Sequence, residues 1–207
     1  MDDTGFGLLS KYYIAYPKYS VAQDAGGAAD AAQKIGFPVA MKILSPAALH
    51  KTDKGGVILG IANRAEAESA AGALVKKFSG SKIDGILVQK MAGKGAVELI
   101  IGGKRDSQFG QLIMLGMGGI FVEIYRDVTF RVCPITKDDA YEMIGELKAK
   151  AILEGARGRK PVDKSALAST LVAVSKLLAK ENPAELDINP LMVDEKGCVA
   201  VDVRILK

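Results

Sequence analysis

From Ala28 onward the chain alternates short apolar runs with longer one-sided stripes, and that alternation restricts it to a mixed helix-and-sheet fold. Val39-Ala40-Met41-Lys42-Ile43-Leu44 and Val57-Ile58-Leu59-Gly60-Ile61 read as strands. Between them lies a loop with Pro46, His50, Lys51, Asp53 and the pair Gly55-Gly56. Over 64–78, Ala67, Ala70, Ala71, Leu74, Val75 and Phe78 recur three and four apart, which predicts a helix with one buried stripe. Residues 28–35 read as a shorter helix, closed by Gly36 and Pro38. Ile86-Leu87-Val88-Gln89 is another strand, followed by the link Ala92-Gly93-Lys94-Gly95. Strands at 97–101, 111–115 and 129–132 then arrive in a run, ahead of helices near 137–147 and 165–179; strands return at 185–192 and 199–203. Strands in a run, then helices, point to an α+β second lobe. The expected organisation is two lobes, 1–91 and 92–207, parted near 91–95. The stretch before Ala28 is weakly patterned and is expected to be partly mobile.

Composition removes several function classes. The charge is 28 Lys and Arg against 24 Asp and Glu, or +4, with both signs interspersed, so no nucleic-acid footprint is present. Two cysteines, Cys133 and Cys198, are too few for a disulfide framework or a four-ligand zinc site, and suit a reducing cytoplasm. The start, Met1-Asp2-Asp3-Thr4, carries no signal-peptide pattern. The uncharged stretch from Ser107 to Val122 contains four glycines and falls short of the roughly 20 apolar residues of a membrane span. The single histidine, His50, excludes a metal site built on paired histidines. Neither a P-loop nor a GxGxxG fingerprint occurs.

Four groups can carry chemistry. Lys42 interrupts an apolar strand: it is either a residue of an exposed face with its stem packed along the sheet, or a fixed cation for phosphate oxygens. Gly55-Gly56, flanked by Lys51 and Lys54, is either a plain turn or a place where backbone N–H groups approach an anion with no Cβ in the way. Gly116-Met117-Gly118-Gly119, with Glu123 after it, is likewise a tight turn or a backbone clamp. Asp187-Ile188-Asn189-Pro190 with Asp202 is the sharpest set. Asp187 and Asn189 are two apart on a strand, so they share a face, and Asp202 on the next strand meets them across a hairpin. Two carboxylates and an amide oxygen are hard ligands suited to Mg²⁺, although carboxylates at strand ends are also simply solvated. His50 is a polar-loop histidine six residues before Gly56, either a surface residue or, mostly neutral at neutral pH, able to accept a phosphoryl group.

Taken together, these residues resemble a known family. Lys34-Ile35-Gly36-Phe37-Pro38-Val39, Lys42, Ser45-Pro46 and His50-Lys51-Thr52-Asp53-Lys54-Gly55-Gly56-Val57 look like the nucleotide-binding subunit of the ADP-forming acyl-CoA (acetate–CoA) ligases. So do Phe109-Gly110, Gly116-Met117-Gly118-Gly119 and the closing Asp187-Ile188-Asn189-Pro190-Leu191 with Val201-Asp202. The likeness covers roughly 30–205; its first and last blocks are specific as a pair. It implies the ATP-grasp fold, two α+β lobes with the nucleotide between them. It implies that Lys42 and the Gly55 and Gly56 backbone hold the phosphates of ADP or ATP, that Gln89, Lys90 and Met91 contact adenine, and that Glu98 reaches the ribose. Asn189 and Asp202 are the implied Mg²⁺ ligands, Asp187 orients an incoming phosphohistidine, and His50 is the relay histidine that some members carry. The acyl-CoA site and the first phosphohistidine belong, by the same likeness, to a CoA-binding alpha subunit in an α2β2 complex, with neither nucleic acid nor membrane involved. The implied reaction is acyl-CoA + phosphate + ADP to acid + CoA + ATP. The alternatives are another ATP-grasp carboxylate ligase, which turns over alone without His50, and a regulatory nucleotide-binding module of the kind found fused to acyltransferases.

Overall fold

The computed structural model describes residues 5–46, 55–93, 95–119 and 126–206. Its chain separates into two units, one spanning Pro17–Met91 and the other joining the residues through Tyr16 to those from Ala92 onward.

In the first unit, β1 (Tyr19–Ala22), β2 (Val39–Leu44), β3 (Val57–Ile61) and β4 (Gly85–Lys90) form an antiparallel sheet in the order β1-β4-β2-β3. Helices α2 (Ala25–Ile35) and α3 (Arg64–Lys77) cover one face. Strand alternation decides which residues meet them: Val39, Met41, Ile43, Ile86 and Val88 are fully buried with Ala28, Ala29, Ala32, Ala67 and Ala71. The alanines bring helix backbones close to the strands with little side-chain entropy to lose. α2 begins at Ala25, earlier than the apolar pattern suggests, because the Asp24 carboxylate accepts a hydrogen bond from Gly27 N at 2.7 Å. α3 starts on Asn63, whose side chain accepts from Glu66 N at 3.0 Å while Glu66 accepts from Ala62 N at 2.8 Å.

The second unit holds β5 (Val97–Asp106), β6 (Gly110–Met117), β7 (Val128–Val132), β8 (Glu185–Asp194), β9 (Gly197–Ala200) and β10 (Val203–Leu206). The strand order is β10-β8-β5-β6-β7, with β9 also paired to β8. Helices α4 (Lys137–Glu146) and α6 (Lys164–Glu181) cover one face, with a short α5 (Lys150–Leu153) in the connection. Leu167, Leu171, Val174 and Leu178 of α6 are fully buried, as are Leu99, Ile101, Ile113 and Leu115 beneath the helices. A Cβ at Gly103 would collide with the Leu178 side chain, so α6 sits where only glycine lets it.

The N-terminal expectation is corrected. α1 (Phe6–Lys11) is an ordered helix with Phe6 and Leu9 buried, and it packs in the second unit. Ala200 N donates to Ala15 O at 2.8 Å, and Glu181 at the end of α6 accepts from Lys11 Nζ and Tyr12 Oη, both at 2.7 Å. Six residues are too few to show a stripe, which is why the sequence pattern misses it. The expected strand at 199–203 is also two strands, interrupted at Val201-Asp202.

Candidate functional site

Each sheet has a second face, opposite its helices, and most of the candidate residues lie there. In the first unit Lys42 stands opposite Leu87 on one side and Val57 on the other, and Ala40 stands opposite Gln89. Residues directly opposed across antiparallel strands share a face, so Lys42 and Gln89 lie together on the face away from α2 and α3. Lys42 is only 4% exposed and Gln89 1%. Thus, of the two alternatives the sequence leaves for it, the lysine is not the exposed strand residue. Ile43 N donates to Gly56 O at 2.9 Å, so the Gly55-Gly56 turn sits beside Lys42 at the start of β3. Gly55 has φ +63°, a conformation that favours glycine.

Lys90 departs from its neighbours. Its ammonium donates to the carbonyls of Gly36 at 2.8 Å and Phe37 at 2.7 Å, at the end of α2. A cation suits the negative end of a helix, and that use turns the side chain to the face opposite Gln89. Met91 N donates to Pro38 O at 3.2 Å. Of the three residues expected at adenine, Gln89 shares the face of Lys42, whereas the Lys90 side chain turns to the other.

In the second unit the alternation of β8 changes hand at Asn189-Pro190. Leu186 and Ile188 are buried before it, Leu191 and Val193 after it. The β5 partner register passes from Leu99 opposite Leu191 to Ile101 opposite Ile188, so β8 carries one extra residue. This is a bulge, a common device for aiming side chains at sites. It replaces the simple two-residue spacing assumed for Asp187 and Asn189. Facing it is the break between β9 and β10: Asn189 N donates to Asp202 O at 3.2 Å and Val201 N to Pro190 O at 3.0 Å. The Asp202 carboxylate accepts from Val203 N at 3.1 Å.

Burial pushes the Asp187 carboxyl above the ordinary carboxylate range, and the nearby Glu185 and Asp202 charges push the same way; Arg204 opposes them. A carboxylate held against burial and two like charges is one that a divalent cation would relieve. Among the described residues no three His, Cys, Asp or Glu side chains converge as a metal cage. Mg²⁺ does not demand one, since it is commonly held by one or two carboxylates together with water and phosphate oxygens. The donor set Asp187, Asn189 and Asp202 fits that ion in oxygen chemistry.

Glu98, also on the open face and exposed, accepts Gly118 N on its backbone carbonyl at 2.8 Å. A Cβ at Gly118 would lie 2.7 Å from that oxygen, so the second glycine loop is built on a close backbone approach. The Asp127 carbonyl accepts Met117 N at 3.1 Å, and its carboxylate accepts Lys148 N and Ala149 N, each at 2.8 Å. His50 and Glu123 lie outside the described residues. Burial raises the thiol of Cys133 to about 11 and that of Cys198 to about 12, so neither supplies a thiolate nucleophile. Arg204, to which the sequence reading assigns no role, stands opposite Asp187 in the same register as the β8–β9 hairpin.

A family model described as an ATP-grasp domain matches residues 2–206. The chain is 46% identical over 205 residues to acetate–CoA ligase (ADP-forming) I subunit beta of Pyrococcus furiosus, covering 96% of this chain and 88% of that one. It is 44% identical over 207 residues to acetate–CoA ligase (ADP-forming) I of Archaeoglobus fulgidus, of which it spans only 30%. A solved structure of the acetyl-coenzyme A synthetase 1 of Ca. Korarchaeum cryptofilum matches with a TM-score of 0.86 and 39% identity, over 98% of this chain and 89% of that one. That structure holds coenzyme A and Mg-AMPPCP, with a phosphohistidine segment pointing towards the nucleotide binding site.

Proposed function

This chain belongs to the ATP-grasp family, and on that premise we propose that it is the nucleotide-binding beta subunit of an ADP-forming acyl-CoA ligase. It takes a phosphoryl group from a phosphohistidine and passes it to ADP. The strongest support is the likeness, over nearly its whole length, to a relative that is a separate beta subunit.

The residues divide the work as follows. The Lys42 ammonium and the backbone at Gly55-Gly56 hold the ADP phosphates; a buried ammonium keeps one position and strengthens in a water-poor setting. Gln89 lies beside Lys42 and offers an amide to the adenine edge, while Lys90 and Met91 contribute through their backbone; Glu98 takes the ribose hydroxyls. Asn189 and Asp202 hold Mg²⁺, which when bound offsets repulsion between ADP and the incoming phosphoryl group. Asp187 accepts a hydrogen bond from the free ring N–H of the phosphohistidine and so orients it. His50 serves as the relay. In each transfer the P–N bond to imidazole breaks with its electron pair left on nitrogen, and the final P–O bond forms to the β-phosphate of ADP.

The acyl-CoA chemistry and the first phosphohistidine reside on a CoA-binding alpha subunit, in an α2β2 complex of the reducing cytoplasm; the free state of Cys133 and Cys198 suits that compartment. Among the described residues no helix is long and apolar enough to cross a membrane. Purification from the native cell tests the whole reading. The expected result is a CoA-binding partner in the eluate, ATP formation from acyl-CoA, phosphate and ADP by the complex, and Mg·ADP binding without turnover by this chain alone. A chain that purifies alone and ligates a carboxylate unaided would overturn it.

A further inference from the structure

We propose that Arg204 is a further catalytic residue, which grips the oxygens of the phosphoryl group whose imidazole is oriented by Asp187; the proposal rests on the phosphoryl-transfer reading above.

The placement comes from the ladder. β10 pairs antiparallel with β8, with Val203 opposite Ile188 and Arg204 opposite Asp187. On the other side of β8, Gly102 of β5 stands opposite Asp187. Val203 and Ile188 are buried on the helix side. Arg204 and Asp187 therefore emerge together on the other face, next to the β8 bulge at Asn189 and the break between β9 and β10 that holds Asp202. The third residue of that row is a glycine, over which the Met114 side chain of β6 lies, 3.1 Å from where a Cβ would stand.

The other described arginines of known engagement are committed elsewhere. Arg64 is paired with Asp30, Arg105 donates to Asn182 O, and Arg131 holds Glu142 and Glu146. Arg204 has an exposed side chain, and among the described residues its guanidinium makes no ion pair within 4.0 Å. It stands directly opposite Asp187 on the neighbouring strand, so the two groups are close.

The chemistry needs such a group. Asp187 attracts an imidazole N–H, but the same carboxylate repels the phosphoryl group on that imidazole, and Glu185 and Asp202 add to the repulsion. A guanidinium beside Asp187 answers both halves of a phosphohistidine: the carboxylate takes the ring N–H, and the planar fork takes two phosphoryl oxygens. As the P–N bond breaks, charge spreads over the three equatorial oxygens and the nearby cation stabilises it. The imidazole nitrogen keeps the bonding pair, and the phosphoryl group passes to its acceptor.

The test compares Arg204→Met, Arg204→Lys and Asp187→Asn in the complex with the CoA-binding subunit, following single-turnover decay of the phosphohistidine on mixing with Mg·ADP, and ADP affinity by calorimetry. Arg204→Met is expected to slow decay about 100- to 1,000-fold with ADP affinity within about twofold, and Arg204→Lys to recover only part of the rate, because it keeps the charge but loses the two-pronged fork. A rate for Arg204→Met within twofold of wild type, or a loss of ADP affinity that matches the loss of rate, or no recovery in Arg204→Lys, overturns the assignment. Asp187→Asn separates this from the parent reading. If Asp187→Asn is slow while Arg204→Met is normal, Arg204 alone is dismissed; if both are normal, the phosphohistidine does not dock at this face at all.

Discussion

The two units solve one packing problem and then diverge. Both are antiparallel sheets covered by helices on one face, but the other face carries a cation in the first unit and crowded carboxylates in the second. Lys42 sits opposite Leu87 in the unbroken β2–β4 ladder, and opposite Val57 on β3 just after that strand's own register shift between Val39 and Met41. Asp187, Asn189 and Asp202 gather where the ladder is broken, at a bulge on β8 and the gap between β9 and β10. A single fixed charge needs only a stiff strand with neighbours on both sides. Several oxygens that must converge on one ion need the alternation interrupted, because a regular strand sends every second side chain away.

The sharpest way to challenge that contrast is to remove the cation. Lys42→Met is expected to weaken ADP binding about 10- to 100-fold, the range for losing a charge-assisted contact, measured by calorimetry with Mg²⁺ present. Unchanged ADP affinity would leave Lys42 as a packing residue and the first unit without its role. A stability comparison is next in size. Gly118→Ala, whose Cβ would press on Glu98 O at 2.7 Å, is expected to cost about 2 kcal/mol or more, read as a lowered Tm. Gly72→Ala on α3, where nothing lies within 4 Å, is expected to stabilise by about 0.5–1 kcal/mol. Equal effects at the two positions would remove the close backbone approach as the basis of the second glycine loop.

The smallest effect concerns the carboxylates. The folded carboxyl of Asp187 titrates above its unfolded value, so the native state binds its proton more readily. Its contribution to stability is then present below the unfolded pKa and is lost as pH rises through the folded one. At neutral pH the ionised group is a net cost in the metal-free chain. Asp187→Asn should therefore raise Tm at pH 7 by the equivalent of less than about 1 kcal/mol, the side chain being only partly buried, and the gain should shrink towards pH 4. A variant that is less stable at pH 7 than the wild type would mean that the carboxylate is well compensated by the fold, and the contrast with Lys42 would weaken.

Much of this was legible in advance. Strands β2 and β3 follow from short apolar runs, and helix α3 from apolar residues recurring three and four apart. Lys42, Asp187, Asn189 and Asp202 are visible as polar residues in apolar surroundings. Helix α1 was not legible, because its stability comes from distant partners: Glu181, which Lys11 and Tyr12 reach, and Val203, which lies against Gly5. The sidedness of Lys90 was equally hidden, since only the end of α2 reveals where its ammonium goes.

The order of residues along the chain was enough to establish the mixed helix-and-sheet fold, a lysine within an apolar strand and the oxygen-rich tail, because those depend on side-chain type and short-range period; the burial of Lys42 was decided by the packed sheet. Register was decided by the assembled sheets. Whether Gly102 of β5 stands beside Asp187, and whether Asn189 leaves the β5 ladder, turns on one inserted residue in β8. A shift of one residue moves every later side chain to the opposite face, and only the packed core, by burying Leu186 and Ile188 on one side of the insertion and Leu191 and Val193 on the other, determines where that shift falls.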